Sequence, residues 1–429
     1  MNKDNILNYT NPAEKVIEDQ LTSYLRISAQ KMLQLAIESE VESFINIHKT
    51  IRVSGGHRSI VRNCYLPERQ VQTGIGSIEV KVPRVRDISN SGIKFTSNFI
   101  PKYMRRTVTL DVLLPLLYLK GLSTKDFSDA FVPILGEKPK NISPGIISKL
   151  KKGWYDEYQE WQKRGLSTKN YVYIWADGVY LSARSESEKS CILVIVGADE
   201  HGHKDIIAIS DGFRESKESW KELLNDLKRR GLTKSPKLAV GDGSMGLWGA
   251  LTEVYPKCAH QRCWVHKTVN IIDKLPKSTQ EKAKSMIHDM YMAETKKEAL
   301  KAYDDFINAY EVKFPKAIQC LTKDKDQLFQ FYNFPAEHWC HIRTTNPIES
   351  TFATVRHRTK KSKNCFSRKT ILASVFKLFM EAKKRWKPLR GKHRIAEIIA
   401  LNVFVDGINQ NQLTILNDKD NHDKQNLAA

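Results

Sequence analysis

The sequence predicts a multidomain α/β protein in which a mixed-sheet core is interrupted by an all-helical insertion and preceded by a mainly helical region. Three observations predict it. Between Asn170 and Cys263, three apolar β-branched runs follow one another, and strand-like and helix-like segments then alternate. From Trp264 to Trp339 helix signals succeed one another without a strand. Upstream of Asn170, helical periodicity prevails except in one short basic stretch. At 429 residues the chain is long enough for two or three domains with real cores.

The elements follow in chain order. Apolar residues at Ile17, Leu21, Tyr24, Leu25, Met32 and Leu35 give a long amphipathic helix within 1–50, a surface suited to pairing with a second copy. Over 51–106, alternating Ile78, Val80 and Val82 beyond the glycines at 74 and 76 predict a small basic β element built on a hairpin, its alternative being a solvated hairpin with lysines guarding the edge. Over 107–165, TVTLDVLLPLLYLKG gives a helix stopped by Gly121, Ser123 caps a second and Ser143 a third. Three short helices with a basic last one fit a helix-turn-helix, which would place Lys149, Lys151 and Lys152 on or near the helix that enters a major groove; a plain helical packing unit fits the pattern too.

The core opens at 166–263. YVYIWADGVYLSAR, SCILVIVGADE and DIIAISDGF read as three strands, Lys217 to Arg230 as a helix ended by Gly231, KLAVGDG as a short buried strand, Ser244 to Val254 as a helix and CAHQRCWV as a last strand. Three antiparallel strands, a crossover helix and two further strands make a mixed sheet of the ribonuclease-H type. The insertion, 264–340, has Ser278 as a cap, a capping box of Thr295 and Glu298, and Pro315 opening a helix. The second part of the core, 341–390, starts with a helix whose cap, first turn and third position are Asn346, Pro347 and Glu349. A carboxy-terminal segment and a polar, disordered tail complete 391–429.

Three acids stand out: Asp177 in VYIWADGVYL, Asp242 in KLAVGDGSMG and Glu349 in RTTNPIESTF. Asp177 interrupts the alternation of Val172, Ile174 and Ala176, where an unpaired carboxylate costs several kcal/mol, and a divalent metal held between carboxylates offsets that cost. Asp242 also suits a turn, and Glu349 also suits an ordinary capping box. Asp199 and Asp211, at strand ends, read as turn residues. Two strand acids and one helix acid can converge on one side of the sheet.

Charge points to the partner. The 69 Lys and Arg against 48 Asp and Glu leave a formal charge of +21, which suits a polyanion, nucleic acid first. The polar amino terminus lacks a signal-peptide core and no apolar stretch is long enough to span a bilayer, so a cytoplasmic, nucleoid-associated protein without membrane contact is expected. Seven scattered cysteines do not form a disulfide framework.

The strings VGDGSMGLWGAL, QRCWVHKTVNIIDKLPKS and, above all, FPAEHWCHIRTTNPIESTFATVRHRTKKSKNCFSRKT resemble the bacterial Mutator-like insertion-sequence transposases, members of the wider DDE group. The resemblance spans Tyr171 to Trp386 and, more loosely, amino-terminal helices including YLKGLSTKDF. It implies that Asp177, Asp242 and Glu349 are the catalytic acids, that they hold two Mg²⁺ ions, with Mn²⁺ as a substitute, and that the helical insertion is a family trait. It also implies a DNA transposase, a homodimer or higher oligomer on DNA, that cleaves at terminal inverted repeats and joins the freed 3′ end to target DNA. The rival functions are a DNA-binding protein or repressor with an inactive core of the same fold, and a junction nuclease.

Two further groups complete the expectations. Cys258, His260, Cys263 and His266 carry zinc-ligand chemistry, yet on a strand Cys258 and Cys263 would not share a face. The resemblance instead takes Cys263, Trp264 and His266 as a CxxH element that supports the active site or contacts DNA, with Trp264 either stacked on an unpaired base or packed in the core. Arg356, Arg358, Lys360, Lys361, Lys363, Arg368 and Lys369 follow Glu349 closely enough to lie beside a scissile phosphate, and Lys383, Lys384, Arg385 and Lys387 form a second basic cluster around Trp386.

Overall fold

The computed structural model describes residues 20–122, 126–135, 144–181, 190–212, 214–361 and 367–411. The chain divides into two compact units, Met1–Leu150 and Lys151–Ala429.

The first unit begins with α1 (Gln20–Ile47), followed by β1 (Ile60–Tyr65), β2 (Arg69–Thr73), β3 (Gly76–Val80) and β4 (Pro83–Asp87). β2 and β3 form the expected hairpin: Thr73 faces Gly76, leaving Gly74 and Ile75 as the turn. Gly76 takes φ +111°, a conformation that side chains strain against. β1 pairs antiparallel with β4. Ile37 of α1, with Ala29 and Leu33 beside it, packs on Val71, Ile78 and Val80. The helix thus presents to the sheet a stripe other than the one read as suited to a second copy. Leu21, Tyr24, Leu25, Met32 and Leu35 are exposed, and Ile17 lies outside the described residues.

α2 (Val108–Leu119) ends at Gly121 as expected, at φ +111°. α3 (Asp126–Leu135) and α4 (Pro144–Gln162) follow, and α4 runs well past Trp154 into the second unit. The expected caps Ser123 and Ser143 lie outside the described residues.

The second unit is built on β5 (Tyr171–Leu181), β6 (Ser190–Asp199), β7 (Lys204–Gly212), β8 (Leu238–Gly241) and β9 (Ala259–Arg262), in the spatial order β7-β6-β5-β8-β9. β5, β6 and β7 are antiparallel neighbours, β8 runs parallel to β5, and β9 parallel to β8. α5 (Lys217–Arg229) and α6 (Met245–Val254) bury Trp220, Leu224, Leu227, Leu247 and Leu251 with Ile174 and Ala176. Since successive strand residues face opposite sides, Tyr173, Trp175 and Asp177 share the other face. There the Tyr173 hydroxyl meets His338 Nδ1 at 2.7 Å, and Trp175 Nε1 donates to the His341 carbonyl at 2.9 Å.

After β9 come α7 (Trp264–Ile272), α8 (Lys277–Met292), α9 (Lys296–Tyr310), α10 (Pro315–Thr322), α11 (Lys325–Leu328) and α12 (Trp339–Ile342), the expected helical insertion. α13 (Asn346–Lys361) packs on β5, and α14 (Arg368–Lys383) on β7. The capping box of Thr295 and Glu298 is formed, and Pro315 opens α10.

Three local expectations are corrected. The last strand ends at Arg262, because Cys263 turns into the first residue-pair of α7 with its amide held by the Gly241 carbonyl at 2.7 Å. Ser278 lies inside α8, whose cap is Pro276. Asn346 is already helical: the Thr345 carbonyl accepts the amides of Ile348 and Glu349 at 2.9 and 3.1 Å, so the helix opens one residue earlier and Thr345 holds the cap position. Among the described residues six cysteines are unpaired, and no helix is long and apolar enough to cross a membrane.

Candidate active site

Asp177 sits on β5 one residue beyond the last pair with β8, Ala176 opposite Gly241. β8 stops there, and the edge of β5 opens onto the loop that carries Asp242. Asp177 is 5% exposed, and its Oδ1 accepts from the Gly178 amide at 2.8 Å. Burial, opposed by His266 and reinforced by the charges of Asp242 and Glu349, pushes its carboxyl up to about 7. Asp242 and Glu349 thus both lie within electrostatic reach of Asp177.

Asp242 is half-buried. Its Oδ1 accepts the Ser244 amide at 2.8 Å, across Gly243 at φ +81°. It is therefore a turn residue and a member of the cluster at once: the turn aims it past the end of β8. A Cβ on Gly243 would collide with the Arg262 guanidinium, which fills the inside of this turn. Arg262 is 6% exposed and lies 3.5 Å from Asp324, which also pairs with the buried Lys267 at 2.7 Å.

Glu349, in the first turn of α13, faces His266 Nε2 at 3.2 Å and accepts from the Thr345 hydroxyl at 3.3 Å. The same hydroxyl lies 3.4 Å from Cys263 Sγ, to which the Thr345 amide also donates at 3.3 Å. Cys263 and His266 stand at the start of α7, one helical turn apart, so both reach the helix carrying Glu349. Burial works against the imidazolium of His266, yet Cys263, Asp177 and Glu349 carry it up to about 9. A cation of the protein's own thus stands among the acids at neutral pH.

The four zinc-type residues do not converge. Cys258 is buried, and His260 stacks on Trp248 with ring centroids 4.7 Å apart. Among the described residues, the one group of three such ligand atoms within 4.8 Å of one another is Cys263, His266 and Glu349. Its sulfur is fully buried and engaged by Thr345, which fits a hydrogen-bonded joint between α7 and α13 better than a zinc centre. Trp264 is fully buried with Nε1 donating to the Leu328 carbonyl at 2.8 Å, so it is a core residue and not a stacking platform.

Glu215 was not expected. It lies in the bend before α5, and its carboxyl is pushed up to about 8 by burial and by Asp242 and Asp177. RESKES carries no local signal of its own; the available signal was Gly178, a glycine inside a strand next to a buried acid, which marks a close approach by something else.

The basic residues divide. Lys149 and Lys152 are exposed on α4, and Lys151 is half-buried. Arg356 is exposed on α13, its guanidinium 5.9 Å from the Phe352 ring. Arg358, Lys360 and Lys361 continue α13 with side chains outside the described set, and Lys363 lies outside the described residues. Arg368 lies 3.8 Å from Asp211, while Lys383 and Lys384 pair with Asp205 and Glu381, each at 2.6 Å. Asp199 is the turn residue expected, accepting the amides of His201 and His203. In the first unit, a groove of about 840 Å³ is lined by Arg69, Arg84, Arg86, Lys94, Lys102 and Tyr103, among others.

Comparison with known proteins gives a consistent result. A family model described as transposase, Mutator family, matches residues 2–388. The transposase for insertion sequence element IST2 of Acidithiobacillus ferrooxidans is 46% identical over 291 residues, 68% of this chain and 98% of that one. The transposase for insertion sequence element IS6120 of Mycolicibacterium smegmatis is 46% identical over 295 residues, 69% of this chain and 91% of that one. The transposase for insertion sequence element IS256 in transposon Tn4001 of Staphylococcus aureus is 30% identical over 309 residues, covering 71% and 76%.

Proposed function

Since the chain belongs to the Mutator family of transposases, we propose that it binds the terminal inverted repeats of an insertion sequence and catalyses DNA strand cleavage and strand transfer at Asp177, Asp242 and Glu349. The observation that supports this reading is that Asp177, buried one residue past its last pair with β8, feels the charges of both Asp242, on the turn after β8, and Glu349, in the first turn of α13. The strand order, with three antiparallel strands followed by two parallel ones, supports a ribonuclease-H-like core.

The donor set fits hard divalent cations. Asp177 lies within electrostatic reach of the other two carboxylates and is buried without a basic side chain bonded to it, and oxygen donors suit Mg²⁺ or Mn²⁺. Asp177, Asp242 and Glu349 would hold two such ions, which when bound supply activation of an oxygen nucleophile and stabilisation of the leaving 3′ oxygen. The protein's own groups do the positioning. Thr345 and His266 fix the Glu349 carboxylate, and the Asx turn at Gly243 with Arg262 beneath it fixes Asp242. His266, charged at neutral pH, partly neutralises the acids and keeps them from repelling one another and an incoming phosphate.

DNA contact is assigned to Lys149, Lys151 and Lys152 on α4, to the basic groove of the first unit, and to Arg356, Arg358, Lys360, Lys361 and Lys363 beyond Glu349. The partners are double-stranded terminal repeats and target DNA, bound by a dimer or higher oligomer. Incubating the full chain with a labelled terminal-repeat duplex and Mg²⁺ tests the reading. Cleavage is expected in the native protein, with retained DNA binding and lost cleavage in Asp177→Ala, Asp242→Ala and Glu349→Ala. Cleavage surviving any one of these changes would sink the assignment of that acid, and binding without cleavage in the native chain would favour a repressor.

A further inference from the structure

We propose that Glu215 is a fourth carboxylate ligand of the divalent-cation site. The proposal rests on the reading of Asp177, Asp242 and Glu349 as cation-binding acids, and on a cradle that the fold builds around Glu215 alone.

The cradle has two sides, each a glycine. A Cβ on Gly178, the residue after Asp177, would collide with the Glu215 carboxylate. A Cβ on Gly246, in the first turn of α6, would collide with the Glu215 carbonyl and lie 2.8 Å from the Lys217 amide. The bend carrying Glu215 is therefore pressed between the strand bearing Asp177 and the helix that begins two residues after Asp242 and Gly243. Gly178 and Gly246 belong to the elements that position the two strand-end acids, so Glu215 is held in register with both. A third contact, the Glu215 amide 3.4 Å from the Tyr180 hydroxyl, fixes the bend from the strand side.

The side chain held this way has no evident structural task. Among the described residues its carboxylate has no hydrogen-bond or ion-pair partner. The Ser216 hydroxyl, not Glu215, caps α5. Asp242 and Asp177 both disfavour its charged form, and His266 opposes them. A half-buried carboxylate with no basic partner, held against the residue after Asp177 and anchored by its backbone to the helix that follows Asp242, adds negative charge there that a multivalent cation would offset. Gly178 lies beyond the end of β8, so on that edge β5 is open and the Glu215 carboxylate reaches the strand beside Asp177.

The test is direct titration of the full chain with Mn²⁺ alone, read by calorimetry and by the paramagnetic resonance of the free ion, with melting of each ion-free variant as the check on folding. Glu215→Gln is expected to weaken Mn²⁺ binding at least tenfold. Gly178→Ala keeps the carboxylate but evicts it from the cradle, and is expected to weaken binding similarly; Glu215→Asp should lie between Gln and the native residue. If Glu215→Gln and Gly178→Ala bind Mn²⁺ as the native chain does while Asp177→Asn binds it weakly, Glu215 is not a ligand and the three-acid site stands. If Asp177→Asn also leaves binding unchanged, or the native chain takes up no Mn²⁺, the three-acid reading falls and this proposal with it.

Discussion

Asp177 makes the ion-free protein less stable as pH rises. Its carboxyl moves from an ordinary 3.8 to about 7 in the folded chain, chiefly through burial. A raised folded value means that the folded state holds the proton more tightly than the unfolded one. The stability this gives is complete below 3.8 and is lost as pH climbs through about 7. The slope is about 1.4 kcal/mol per pH unit in that window. Between pH 5 and pH 8 the loss is then about 3 kcal/mol. Asp177→Asn removes the titration while keeping an oxygen to accept the Gly178 amide. Melting the native chain and the variant in chelator at both pH values should show the variant gaining about 5–10 °C relative to the native protein on going from pH 5 to pH 8. A difference in melting temperature that is the same at both pH values, or that moves the other way, would refute the argument that Asp177 is held in a charge-excluding position.

Three further outcomes follow from the same geometry. Asp324→Ala should destabilise the second unit by about 3–5 kcal/mol in urea unfolding, because it strands the buried Lys267 and Arg262 without their shared acid; a loss below 1 kcal/mol would contradict the pairing. Gly243→Ala forces a side chain into the Arg262 guanidinium at a positive φ and should cost about 2–4 kcal/mol in thermal melts, with cleavage lost through displacement of Asp242. Thr345→Val frees Glu349 and Cys263 from their common hydroxyl, and should lower the cleavage rate about tenfold while shifting the melting temperature only a few degrees; an unchanged rate would show that His266 alone suffices to place Glu349.

What the sequence made legible depended on whether a single element set the signal. The hairpin at Gly74 and Ile75, the helix stopped by Gly231 and the buried acid at Asp177 each announce themselves through local pattern, and each is where the pattern puts it. Glu349 did not, because a helix-start glutamate looks the same whether it serves a cap or a cluster; here Thr345 takes the cap and leaves the glutamate side chain to face His266. Glu215 was invisible because its importance lies in clearances at Gly178 and Gly246, residues distant in sequence. The apolar stripe of α1 was legible from periodicity while the face that meets the sheet was not, and the strand assignment carried past Arg262 hid the start of the helix that buries Trp264.

The junction between α7 and α13 carries a consequence for how such a chain can vary. The Trp264 amide bonds to the Arg343 carbonyl at 3.0 Å, and Thr345 bonds to Cys263, so the two ends of the helical insertion are fastened to each other at its base. The span between them is closed at this clasp and tied to the core again at Leu328, His338 and His341. Lengthening or shortening its outer helices changes the closure entropy only logarithmically and leaves the clasp in place. The last acid in the chain is thus delivered to the first two by a short span of backbone, however many residues the detour contains.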